Sequence, residues 1–209
     1  MVTNTQTRFA SPGTFELRDG RTVTLRPISV ADSDGLIEFH SRLSARTQEL
    51  RFHRPKPRLA RWEAEYLAGV DFVSRAAVVA TVVEAGPGGE RVERIVADGR
   101  IEAGEVAGVG EVGLVVRDDF QGAGLGGALL DVLVDLAPGL GMERLSFFVL
   151  SENQAMLGLA ARAGAAKVGS DGCAAVLAAN LKAAPPQQPT TRFGAARTLK
   201  TEITEGERR

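Results

Sequence analysis

Glu111 stands inside an otherwise apolar run, Val109 to Val116, which ends in the glycine-dense turn Gln121, Gly122, Ala123, Gly124, Leu125, Gly126 and Gly127. A carboxylate in such a strand is costly to bury, so it either points outward on a half-exposed strand or faces a polar cleft, where it is available to move a proton. The turn opens a helical pattern with no charge in its first positions. Backbone N–H groups at a helix start lack intrahelical partners and sit at the positive end of the helix dipole. Glycines let a ligand approach that backbone closely. The chemistry implied is the holding of a phosphate.

Two common phosphate-binding motifs do not fit. Gly122, Gly124 and Gly127 match the spacing of the dinucleotide fingerprint, but that loop follows the first strand of its domain and this one lies past the chain's midpoint. The acid at roughly the right distance, Glu143, precedes the next strand instead of ending it. No Gly-Lys-Ser or Gly-Lys-Thr follows, which removes the P-loop.

What remains is Gln121, two residues, Gly124, one residue, Gly126, after a strand bearing Glu111. This resembles the acetyl-CoA pyrophosphate loop of the GNAT acyltransferases, and the similarity extends over Val23 to Leu181. The resemblance implies an α/β (α+β) fold with a mixed, mostly antiparallel sheet flanked by helices. It implies acetyl-CoA as acyl-donor cosubstrate, with its pyrophosphate on Gln121 to Gly127. Leu114, Val115 and Val116 would lend backbone groups to the pantetheine arm and thioester carbonyl, from a strand that bulges and splays; Asn153, and with it Ser151, would contact the same arm. Glu111 falls where many relatives carry a general base. Such a base is needed because an amine of pKa near ~10.4 is almost wholly protonated at neutral pH and cannot attack. One departure is plain: where many relatives place a tyrosine to protonate the leaving thiolate, this chain has Leu159, Ala160, Ala161 and Arg162, so the general acid is unassigned.

The elements that must position these groups follow from pattern and punctuation. Phe15, Leu17, Val23 and Leu25 alternate about an Asp19-Gly20 turn, as in a hairpin. Ser29 or Asp32 can cap a helix through Leu36, Phe39 and Leu43; further helices are expected over Ser44–Phe52 and Leu59–Leu67. Three strands then read as an antiparallel meander, Ala76–Glu84, Arg91–Glu102 with a kink at Asp98 and Gly99, and the run ending at Val116. Gly113 within the last of these suits a packing concession, a bulge or a close ligand. After the loop come a helix buried along Leu125, Leu129, Leu130, Leu133, Val134 and Leu136, a strand over Leu145–Leu150, and a helix whose capping box is Ser151 with Gln154. Lys167–Gly169 and Cys173–Leu181 complete the strands. Residues 1–13 read as a flexible lead-in, 14–182 as one domain, and the Pro- and Gln-containing 183–209 as a disordered or partner-dependent tail.

Composition sets limits. With 209 residues, 44% of them hydrophobic, a single core needs no staples, and a net charge of -1 gives no field for nucleic acid. No apolar run approaches the ~20 residues of a membrane span, and Cys173 has no disulfide partner, so a cytoplasmic location is expected. Cys173 itself reads as a small core residue. His40 and His53 form no ligand spacing, and no metal is expected.

The region from Thr22 to Ile28, and then Leu43, Ser44, Arg46, Thr47, Leu50, Arg51 and Phe52, resembles the bacterial protein lysine acetyltransferases. The acceptor this implies is a protein lysine ε-amine. A small-amine acetyltransferase would share the same cofactor machinery, and the missing tyrosine leaves room for a non-catalytic acyl-CoA-binding domain. The basic run from Arg42 to Arg61 is either a solvated face or a positive rim for an acidic partner or a cofactor phosphate.

Overall fold

The computed structural model describes residues 13–181; the expected lead-in up to residue 12 and the tail from 182 onward lie outside the described residues. Eight strands form one sheet: β1 (Gly13–Glu16), β2 (Thr22–Pro27), β3 (Arg75–Ala85), β4 (Arg91–Ala103), β5 (Val109–Val116), β6 (Arg144–Leu150), β7 (Ala166–Asp171) and β8 (Ala174–Asn180). Their order is β1-β2-β3-β4-β5-β6-β8-β7, and every neighbouring pair is antiparallel except β5 with β6. Among the described residues five α-helices accompany them: α1 (Ser33–Ser41), α2 (Ala45–Phe52), α3 (Arg61–Ala68), α4 (Leu125–Leu136) and α5 (Gln154–Arg162).

The continuous apolar run of β3 is explained by burial on both faces. Ala77 and Val79 pack with Leu36 and Phe39 of α1 and Ala64 of α3, whereas Ala76, Val78 and Ala80 join the cluster built on Leu129 and Leu133 of α4. The sheet is thus covered on both sides, and β5 contributes to each: Val115 to the first cluster, Val112, Leu114 and Val116 to the second. No helix among the described residues is long and apolar enough to cross a membrane.

Three local expectations are corrected. The irregularity in β4 is not at Asp98 and Gly99. It falls where Ala80 pairs with Ala97 and Thr81 with Ile95, so Val96 is the extra residue. β5 keeps unbroken register with β4 from Gly110 to Val116 and carries no bulge at Gly113. Cys173 is exposed, because it follows Gly172 in the turn between β7 and β8.

Candidate functional site

The feature that makes a site is the opening between β5 and β6. Their parallel register runs only through Val109, Gly110 and Glu111, opposite Arg144, Leu145 and Ser146. Beyond that point β5 continues on β4 and β6 continues on β8. Hydrogen bonds from Gly104 N to Val109 O and from Arg117 N to Val96 O fix the alternation, so odd-numbered residues of β5 bond to β4. Leu114 and Val116 therefore turn their N–H and C=O groups into the opening, where no strand among the described residues meets them and Val116 O accepts from Gln121 Nε2 at 2.9 Å. An extended ligand bearing amides can pair with such an edge as an added strand would.

A cleft of about 360 Å³ occupies this opening. Its lining includes Leu114, Val115, Val116, Gln121, Gly122, Gly124, Gly126, Gly127 and Asn153, so most of the residues singled out from sequence are brought together. The loop has the form of a cradle. Gly124 is the N-cap of α4 at φ 95° with no side chain capping the helix, which leaves the first N–H groups of α4 open to an anion. A Cβ at Gly122 would meet no atom within 4 Å, so its backbone is open to approach. Gly126 and Gly127 serve packing, since a Cβ there would lie 3.2 Å from Leu159 and 2.8 Å from Arg162 of α5. The donors present suit a diphosphate.

Four candidates lie outside the lining. Ala123 and Leu125 turn their side chains into the core. Ser151 is exposed and does not cap α5; Asn153 does, its Oδ1 accepting from Met156 N at 3.1 Å. Serine and asparagine are equally good caps, and the fold starts the helix two residues later than the capping-box spacing suggests. Glu111 is also exposed. It is the last β5 residue paired with β6, directly opposite Glu102 of β4, and its Oε1 leans over Gly104.

Groups contributed from a distance were not legible as site residues. Thr47, Leu50 and Arg51 of α2 form one wall, and Arg18 of the β1–β2 turn reaches the phosphate loop. Arg18 N donates to Ala123 O at 3.0 Å, and its Nε lies 3.4 Å from where a Gly124 Cβ would be. The wall is tied to the loop through Asp118. Its oxygens accept from Ser44 N at 2.9 Å, Ser44 Oγ at 2.7 Å and Thr47 Oγ1 at 2.7 Å, while Gln121 Nε2 donates to Thr47 Oγ1 and to Val116 O.

Burial pushes the Asp118 carboxyl up, but the bonds from Ser44 and Thr47 outweigh it and hold it below its ordinary value of 3.8. A depressed carboxyl contributes stability above its unfolded value and loses it as pH falls through the folded one. Acid should therefore loosen α2 from the loop, and Asp118→Asn should flatten the fall in melting temperature below about pH 4. Equal slopes for the two proteins in a thermal-melt series would count against this tie.

Four of the seven basic residues in the run from Arg42 to Arg61 are ion-paired among the described residues. Arg42 meets Glu38 and Glu84, Arg46 meets Glu152, Lys56 meets Glu63 and Arg61 meets Asp34. These pairs leave little net positive charge at those positions. No group of three or more His, Cys, Asp or Glu that could hold a metal occurs among the described residues.

Comparison with known proteins agrees with this geometry. The family model "Acetyltransferase (GNAT) family" matches residues 41–165. Acetyltransferase Pat of Mycolicibacterium smegmatis is 34% identical over 169 residues, which is 78% of this chain and 47% of that protein, so the chain spans about half of that relative's length. An acetyltransferase of Pseudomonas aeruginosa is 31% identical over 140 residues, 67% of this chain and 73% of that one. The crystal structure of the GNAT domain of PAT from S. lividans superposes with a TM-score of 0.71 at 30% identity, over 81% of this chain and 97% of that one. With a matched region that contains the opened strand, the glycine loop and both flanking helices, the chain belongs to the GNAT family of acetyltransferases.

Proposed function

We propose that the chain transfers the acetyl group of acetyl-CoA directly to a primary amine, the ε-amine of a protein lysine, with Glu111 as general base. The observation that carries this is the open edge of β5, whose Leu114 backbone groups and Val116 N–H meet no neighbouring strand among the described residues and lead straight into the uncapped start of α4. A ligand with a diphosphate at one end and an amide-bearing arm at the other fits that path. Asn153 spends its Oδ1 on the helix, and among the described residues its Nδ2 has no acceptor, so it can donate to the arm. The protein acceptor is supported by the likeness to acetyltransferase Pat and to the GNAT domain of PAT, and by the resemblance of the segment from Leu43 to Phe52 to bacterial protein lysine acetyltransferases.

Glu111 sits at the vertex of the opening on the strand face shared by Gly113 and Val115. Two residues along a strand span about 7 Å, so the carboxylate takes the amine's proton through a water. The freed lone pair then attacks the thioester carbon.

The test is calorimetry with acetyl-CoA, followed by intact-mass screening of candidate acceptors. Binding with acetylation of protein lysines supports the reading; activity confined to free amines replaces the acceptor, and binding with no transfer at all removes catalysis. Arg18 adds a separate expectation. Its exposed guanidinium beside the loop is suited to a phosphate oxygen, and a charge-assisted bond of this kind is worth roughly tenfold in affinity when partly screened by solvent. Arg18→Ala should raise the KM for acetyl-CoA about tenfold with kcat nearly unchanged, and added salt should erode the difference.

A further inference from the structure

Arg51 projects from the last turn of α2 into the cleft and lays its guanidinium on Gly113, where a Cβ would be 2.7 Å from Nη2 and 2.9 Å from Cζ. This explains the glycine in mid-strand: the space that a side chain would take is filled by a neighbour's cation. Among the described residues, nothing accepts the N–H donors of Arg51 and no carboxylate lies within ion-pair distance. The charged groups facing it are Asp98, Arg100 and Glu102 of β4, with His53 just beyond the end of α2. Asp98 is already committed to Arg100, through bonds of 2.9 and 3.0 Å. Burial above all, and then Arg100, disfavours the charge on Arg51, while Asp98 and Glu102 sustain it. A guanidinium nevertheless stays protonated in proteins, so a cation without a hydrogen-bond acceptor or ion-pair partner, its Cζ 5.3 Å from the centroid of the Phe52 ring, lines the cleft.

The anion it awaits is not the diphosphate. Gly113 lies three residues, roughly 10 Å, deeper in the opening than Val116, which itself adjoins the loop. It is next to the open Leu114 N–H, where a thioester oxygen would be held. Negative charge appears there only during the reaction.

We propose that Arg51 is a catalytic residue that stabilises the negative charge of acyl transfer, first on the thioester oxygen and then on the departing sulfur. This rests on the acetyl-CoA reading above. The amine nitrogen, its first proton already passed through water and Glu111 to solvent, bonds to the carbonyl carbon as the π pair moves to oxygen, and the second proton, on the now cationic nitrogen, leaves through water to Glu111. The C=O bond then reforms, the C–S bond breaks with its pair going to sulfur, and the thiolate is later protonated by solvent. Arg51 keeps its proton throughout. It supplies electrostatically what the side chains at Leu159 to Arg162 do not supply as an acid.

The test reads the thiol of bound CoA by its ultraviolet thiolate absorbance, together with acetyl transfer to polylysine. In the unmodified chain the bound thiol should titrate at least one pH unit below the ordinary value of about 8.5 and return toward it in Arg51→Ala. In that variant kcat should fall about 100- to 1000-fold while the Kd for acetyl-CoA changes less than about threefold. Arg51→Lys should recover part of the rate. Gly113→Ala, which displaces the guanidinium without removing its charge, should cost about tenfold, and it decides the matter if Arg51→Ala does not fold. An ordinary thiol titration with CoA bound, or an unchanged kcat in Arg51→Ala, would overturn the assignment. So would a preference for succinyl-CoA that disappears in Arg51→Ala, because the guanidinium would then serve a carboxylate on the acyl chain. Failure of the unmodified chain to bind CoA at all would instead sink the acetyl-CoA reading.

Discussion

Glu111→Gln should lower kcat by about 100- to 10,000-fold at neutral pH and leave the Kd for acetyl-CoA unchanged. The side chain is exposed and outside the cleft lining, so the amide removes a proton acceptor without disturbing the cofactor's walls. Stability should hold or rise slightly. Glu102 stands directly across the ladder from Glu111, and like charges so placed repel. The deficit should also depend on pH. With an acceptor amine of pKa near ~10.4, the free-base fraction grows about tenfold per pH unit, so the variant should approach the parent as pH climbs toward 10. A variant as fast as the parent at pH 7 would falsify the role of Glu111 as base; a deficit constant across pH would mean that the carboxylate acts by some means other than taking the proton.

Much of the site could be read from residues 109 to 127 because its causes are local. A glycine that needs φ 95°, a helix start without a cap and an apolar strand feeding both are written within 20 residues. The parallel pairing of β5 with β6 follows from the helix between them, and the meander from short turns. What could not be read depends on distant chain. Gly113 resembles a bulge residue in isolation, and only Arg51, 62 positions earlier, explains it. Arg18 precedes Gly124 by more than a hundred residues, and nothing in its surroundings marks it as a neighbour of the phosphate loop. The basic run seemed one patch in sequence, yet Arg42, Arg46 and Arg61 each reach an acid on another element, and Arg51, the basic member of the run that lines the cleft, makes no ion pair among the described residues. Local conformation is encoded nearby; charge compensation is set by topology.

Gly124→Val should abolish useful CoA binding, raising Kd by at least a hundredfold. A β-branched residue at φ 95° is a steric outlier, and holding it there costs about 1–3 kcal/mol, so the loop should relax and turn the first N–H groups of α4 away from the ligand. Destabilisation alone would produce a similar loss, and two comparisons separate the causes. Gly127→Ala crowds the flexible end of Arg162 at 2.8 Å and leaves the cap conformation alone, so it should disturb the α4–α5 contact while sparing most of the affinity. S-acetylpantetheine lacks the diphosphate and should bind the parent and Gly124→Val equally weakly. If the loop grips the diphosphate, the two proteins differ on CoA and converge on the truncated donor. Equal losses on both ligands, or full CoA affinity in Gly124→Val, would show that the glycine loop shapes the fold without holding the phosphates.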